Sequence, residues 1–120
     1  FDECIDVAQK ALSVNEKDVP ALMLLGQSYN IKRYPEKSIK YWTEIDNVRP
    51  NGILAKLALI ELYTITNDYI RRSIYLHKLQ KYASRKSIHE VFAAAEKENP
   101  TFTIFIPNRF LFKGLLASEL

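Results

Sequence analysis

The sequence predicts an all-α fold: helical hairpins repeated in tandem, followed by a C-terminal helix and a short extended or β segment. Three observations carry that expectation. Apolar residues recur at spacings of three and four, as in Leu22, Leu25, Tyr29 and again in Ile39, Trp42, Ile45, which lines one face of a helix. The chain also resembles itself: "YPEKSIKYW" from Tyr34 and "YIRRSIYLH" from Tyr69 share Tyr-x-x-x-Ser-Ile, 35 residues apart. Finally, cap and breaker residues fall between the periodic stretches, at Pro35, Asp68 and Asn99-Pro100.

The elements follow in order. Phe1, Ile5, Ala8 and Leu12 already sit in helical register, and "LMLLGQSY" puts Leu22, Leu25 and Tyr29 on one face of a second helix. Gly26 lies inside that helix, where glycine costs about 1 kcal/mol against alanine, so a neighbouring helix is expected to approach closely there. Pro35 suits the first turn of the next helix, where its missing N–H costs nothing, and Glu36 complements the positive end. Asp68 is placed to cap a helix beginning near Tyr69. Ser87 with Glu90 forms a capping box that opens a helix through Val91, Ala94 and Ala95, ending at Asn99-Pro100. "TFTIFI" reads as a short strand or extended segment halted by Pro107. "NRFLFKGLLASEL" fits either a second strand turning at Pro107-Asn108 or a helix capped by Asn108. The spacing of Phe112, Leu115, Leu116 and Glu119 favours the helix.

Laid end to end, Leu22, Leu25-Gly26, Tyr29, Ser38, Trp42 and Pro50 read Leu-x2-Leu-Gly-x2-Tyr, a small residue, x3-aromatic, Pro. This order resembles the tetratricopeptide (TPR) repeat. Leu22 stands where that pattern has Trp, and Ser38 where it has Ala. The next stretch keeps Leu59, Tyr63, Ser73 and Leu79, with Ile60 at the glycine and His77 at the aromatic. The start, "FDECIDVAQKALSVNEKD", reads as the second helix of a preceding repeat, with Cys4 and Ala11 as its small residues and Glu16 at the closing Pro. The resemblance covers 1–82, so the chain divides into 1–82, helical repeats, and 83–120, a C-terminal extension. Phe1 in mid-helix and the uncapped "LLASEL" further suggest a piece of a longer protein.

Composition narrows the function classes. Apolar residues at 48% and charged residues at 26% are ordinary for a globular chain. A net charge of +3 is too small and too dispersed for a dedicated nucleic-acid arm. No apolar run approaches the roughly 20 residues that cross a bilayer. Lys, Ile, Asn and Tyr usage points to an AT-rich, bacterial genome.

Chemistry finds little to use. Cys4 occupies a small-residue position and is expected in the core, and one cysteine makes neither a disulfide nor a metal site. His77 occupies an aromatic core slot and His89 a first helical turn, with no acidic ligand pattern beside them. Gly26, Gly52 and Gly114 are the only glycines, so there is no phosphate-binding loop. No catalytic residue, metal ligand or cofactor site is expected. Arg71, Arg72, Lys78, Lys81, Arg85 and Lys86 gather in one region. Glu61, Asp68, Glu90, Glu96 and Glu98 flank them and no stacking aromatic series accompanies them, so a solvated helix face is the simpler reading.

Surface, then, is what the architecture offers. Stacked hairpins form a superhelix whose concave side is lined by the first helix of each pair. Beside the core positions of those helices run Met23, Gln27, Asn30 and Ile31, then Leu57, Glu61 and Thr64, then Phe92 and Glu96. What the resemblance implies is a partner polypeptide held on this stripe. TPR domains that clamp a C-terminal carboxylate use Lys, Arg and Asn there; this stripe has no Lys or Arg, so an apolar or basic segment is the expected ligand. Phe102, Ile104 and Ile106, with Phe110 and Phe112, form a second apolar set expected to cover the end of the array, or to grip a partner or a second copy. The expected function is a protein–protein interaction domain, an adaptor within a larger protein. The competing readings are an architectural self-association domain and an RNA-binding helical repeat.

Overall fold

A computed structural model describes residues 2–83 and 88–99. The helices are α1 (Asp2–Val14), α2 (Val19–Ile31), α3 (Pro35–Val48), α4 (Leu54–Ile65), α5 (Tyr69–Ala83) and α6 (Ile88–Glu98), with no strand among the described residues. They belong to two compact units, Phe1–Asn51 and Gly52–Leu120. The division expected after residue 82 falls inside the second. Ser87 of the capping box, the extended segment at 101–106 and the helix or strand at 108–120 lie outside the described residues.

In the first unit α2 packs against both α1 and α3. Its start is set by Asp18, whose carboxylate accepts a hydrogen bond from the Ala21 N–H at 3.1 Å, with Pro20 in the first turn. Ile5 and Ala8 of α1 meet Ala21 and Leu25 of α2 in a core to which Leu12, Leu24, Tyr29 and Tyr41 add their sides. Toward α3, the bare Cα of Gly26 admits the Trp42 indole: a Cβ there would stand 2.6 Å from Trp42 Nε1. Ser38, also fully buried, donates its hydroxyl to the Gly26 carbonyl at 2.6 Å. The close crossing expected from a glycine in mid-helix is therefore present, with Ser38 and Trp42 as the side chains that use it.

The second unit is built around α4. Every residue from Leu54 to Ile60 is buried, and Leu62 and Tyr63 extend the run, so this helix is wrapped nearly all round. Leu76 and Leu79 are buried in α5, and Val91 and Ala95 in α6. α4 has no capping side chain of its own, since Ile53 occupies the N-cap. Glu98, at the far end of α6, fills that role: its Oε2 accepts from the N–H of Ile53 at 2.8 Å and of Leu54 at 3.0 Å. A carboxylate here satisfies two orphan donors and faces the positive end of the helix. Lys56, buried in the first turn, donates its ammonium to the Gly52 carbonyl at 2.9 Å.

The same turn closes both hairpins. After α2, Tyr34 N–H bonds to Tyr29 C=O and Arg33 N–H to Asn30 C=O; after α4, Asp68 N–H bonds to Tyr63 C=O and Asn67 N–H to Thr64 C=O. Each is a Schellman cap with one residue in the left-handed region, Arg33 at φ 66° and Asn67 at φ 59°. Every member of one turn lies 34 residues from its counterpart, and Pro35 and Tyr69, which open α3 and α5, keep the same interval.

That register corrects three expectations. The "Tyr-x-x-x-Ser-Ile" match is out of step by one residue: Trp42 corresponds to Leu76 and Ser38 to Arg72, not to His77 and Ser73. His77 is accordingly exposed, turned about 100° round the helix from the buried Leu76. Cys4 is exposed as well, not core. Its counterpart Ser38 is buried because α2 lies against it, whereas the buried residues of α1 are Ile5 and Ala8, on a neighbouring face.

Candidate functional site

Burial sorts the candidate contact residues of each first helix. On α2, Leu22, Leu25 and Gly26 are buried core, and so is Met23, at 5% exposure. Gln27 and Asn30 are half-buried and Ile31 is 50% exposed. On α4, Leu57 is wholly enclosed, while Glu61 and Thr64 are half-buried. Phe92 on α6 is buried too, at 2% exposure, beside a half-buried Glu96. Met23, Leu57 and Phe92 thus differ from the solvent-facing stripe expected of them: α2 and α4 are apolar on more than one face, so the row beside the core is itself buried. Phe102, Ile104, Ile106, Phe110 and Phe112 lie outside the described residues.

What remains accessible of the expected row on the two helices is mostly polar. Gln27, Asn30 and Ile31 remain on α2, Glu61 and Thr64 on α4. The Thr64 hydroxyl is turned inward, donating to the Ile60 carbonyl at 2.8 Å. Glu61 is the electrostatic exception. Its Oε2 is enclosed with no hydrogen-bond partner, and burial pushes its carboxyl pKa up to about 7. Desolvation penalises the charged form. Sequence reasoning placed Glu61 on the stripe but had no signal for this protonation.

Aromatic clasps beside each turn were missed as well. Tyr29 stacks on Tyr41 at 5.8 Å between centroids, Tyr34 meets Tyr29 edge-on at 6.4 Å, and the Lys37 ammonium lies over both Tyr29 and Tyr34. In the second unit Tyr63 stacks on Tyr75 at 5.8 Å, with Lys78 over Tyr75 and Arg72 over Tyr69. Tyr29 and Tyr63, like Tyr41 and Tyr75, are 34 residues apart, and that interval was the available signal. The Tyr29–Tyr41 and Tyr63–Tyr75 stacks tie the two helices of each hairpin together.

The basic cluster is partly spent on such contacts. Arg71 is paired with Asp68 at 2.7 Å, and Asp68 Oδ1 also accepts from the Arg71 N–H, which makes Asp68 the cap expected for α5. This pairing holds the Asp68 carboxyl below and the Arg71 guanidinium above their usual pKa ranges. Arg85 and Lys86 lie outside the described residues. Among the described residues, no three His, Cys, Asp or Glu side chains gather as a metal site would require, and no helix is long and apolar enough to cross a membrane.

Fold and surface together define an α-helical protein in which one hairpin design occurs twice. No family model, curated protein or solved structure matches the chain.

Proposed function

We propose that this chain is a TPR-type protein–protein interaction domain, an adaptor or scaffold segment of a larger protein. The observation that carries the reading is the 34-residue recurrence of one helical hairpin: the same Schellman turn, the same tyrosine stack and the same second-helix start. That interval and hairpin design are those of TPR repeats. Such hairpins present the first helix of each pair to a ligand, and the contact residues are those with accessible surface: Gln27, Asn30 and Ile31 on one helix, Glu61 and Thr64 on the other. Met23, Leu57 and Phe92, being enclosed, fall out of that set.

With an exposed isoleucine, two amides and one carboxylate but no Lys or Arg, the set favours an apolar or basic polypeptide segment over a terminal carboxylate. Affinity capture from the source cell, with and without nuclease, tests this. Partner proteins should survive nuclease and be lost from a Gln27→Lys/Ile31→Asp variant whose helical signal and Tm are unchanged. Capture that depends on nucleic acid, or that the variant leaves intact, would show the reading to be wrong.

A further inference from the structure

The outward face of α5 is unlike its counterpart in α3. In the 34-residue register, Ile70, Ile74, His77 and Lys81 of α5 stand where α3 has Glu36, Lys40, Thr43 and Asn47. α3 fills that row with polar residues of both signs. α5 fills it with two isoleucines, 80% and 50% exposed, running into two exposed basic residues. The spacing of four, three and four keeps all of them on one stripe of the helix. α3 carries Lys37 and Lys40 against Glu36, Glu44 and Asp46, whereas α5 carries Arg71, Arg72, Lys78 and Lys81 with no acid at all.

Among the described residues nothing requires isoleucine there, because the equivalent hairpin is made with Glu and Lys. Isoleucine is also a poorer helix former than the Glu36 and Lys40 that α3 has at the same two positions. The stripe is thus a property of this surface and not of the hairpin. Its two halves select the occupant. A nucleic-acid backbone would meet the lysine end and gain nothing from Ile70 and Ile74. A membrane-lying helix needs a continuous apolar face, which ends here at His77. A second copy meeting this face with its own α5 would set a basic helix against a basic helix. We infer that the Ile70–Ile74–His77–Lys81 face of α5 docks an acidic amphipathic helix of a partner protein, its apolar residues on the isoleucines and its carboxylates toward the basic end.

This surface is separate from the first-helix positions proposed above, and its test distinguishes the two. The probes are synthetic helical peptides sharing one leucine seam, flanked in one by glutamates and in the other by lysines, titrated against the whole chain by fluorescence anisotropy. Phosphatidylserine vesicles and a short single-stranded RNA complete the panel. The glutamate peptide should bind at least about tenfold more tightly than its lysine twin. Ile74→Ser and Lys81→Glu should each weaken it about tenfold with Tm unchanged, while Lys40→Ser on α3 and Gln27→Lys on α2 leave it unaltered. Equal binding of the two peptides, no effect of the α5 substitutions, or preferential binding of vesicles or RNA would each overturn the proposal.

Discussion

At the scale of single residues, Gly26 and Glu61 carry the sharpest physical consequences. Alanine is a better helix former than glycine by about 1 kcal/mol, so Gly26→Ala would stabilise an open helix. Here its Cβ would stand 2.6 Å from Trp42 Nε1, against an indole that is itself fully buried. Overpacking of this kind costs about 1–3 kcal/mol and outweighs the propensity gain. Gly26→Ala should therefore lower stability, and Gly26→Leu should lower it further. Denaturant unfolding followed by the fluorescence of Trp42, the chain's single tryptophan, is the measurement. An unchanged or raised midpoint for both variants would contradict the close crossing.

Glu61 couples stability to pH. Its folded pKa, about 7, lies above the ordinary 4.5, so between those values the folded state holds more protons than the unfolded state. Stability from this group is then fully present at acid pH and is lost as pH rises from about 4.5 through about 7. Glu61→Gln, which is neutral throughout, should flatten that slope. It should also raise stability at pH 8 by about 1–2 kcal/mol, allowing for the side chain's remaining exposure. Melting curves of both proteins across this range decide it; parallel curves would mean that the carboxyl is solvated and ionised in the fold.

At the scale of elements, the helices end for legible reasons and begin, in one case, for a remote one. Asp18 and Asp68 are local caps, each bonded to an N–H three residues on. The αL residue after α2 is an arginine, tolerated because the Schellman bonds over-determine the turn; Asn67 meets the same demand more easily. α4 instead borrows its cap from Glu98, 44 residues away from Leu54. Glu98→Ala would leave two N–H groups without their charged acceptor and should cost about 1–2 kcal/mol, with Glu98→Gln recovering part of it. Hydrogen exchange should quicken first at Ile53 and Leu54. Exchange there that is indifferent to Glu98→Ala would dismiss the capping role.

At the scale of the whole molecule, one hairpin design is used twice with different surfaces. The turns, tyrosine stacks and second-helix starts recur at 34 residues, while the outward rows of α3 and α5 diverge in polarity and charge. Much of this was legible in the residues. Three-and-four spacing placed the helices, Pro35 and Asp68 placed two of their starts, Asn99-Pro100 placed the end of α6, and Gly26 announced a close neighbour. Periodicity and capping are local, acting within a few residues of the signal, so a linear reading reaches them.

What the sequence by itself determined, then, is the all-α class, the helix boundaries marked by Pro35, Asp68 and Asn99, and a self-similarity at an interval near 35 residues. Tertiary structure decided the register of that repetition, 34 and not 35 residues, because the register depends on which side chain enters the partner helix, Leu76 or His77. It likewise decided that Cys4 faces water, that Met23, Leu57 and Phe92 are enclosed, and that Glu98 caps α4. Each of these depends on what stands opposite a residue in space. A helix has several faces with similar patterns, and only packing chooses among them.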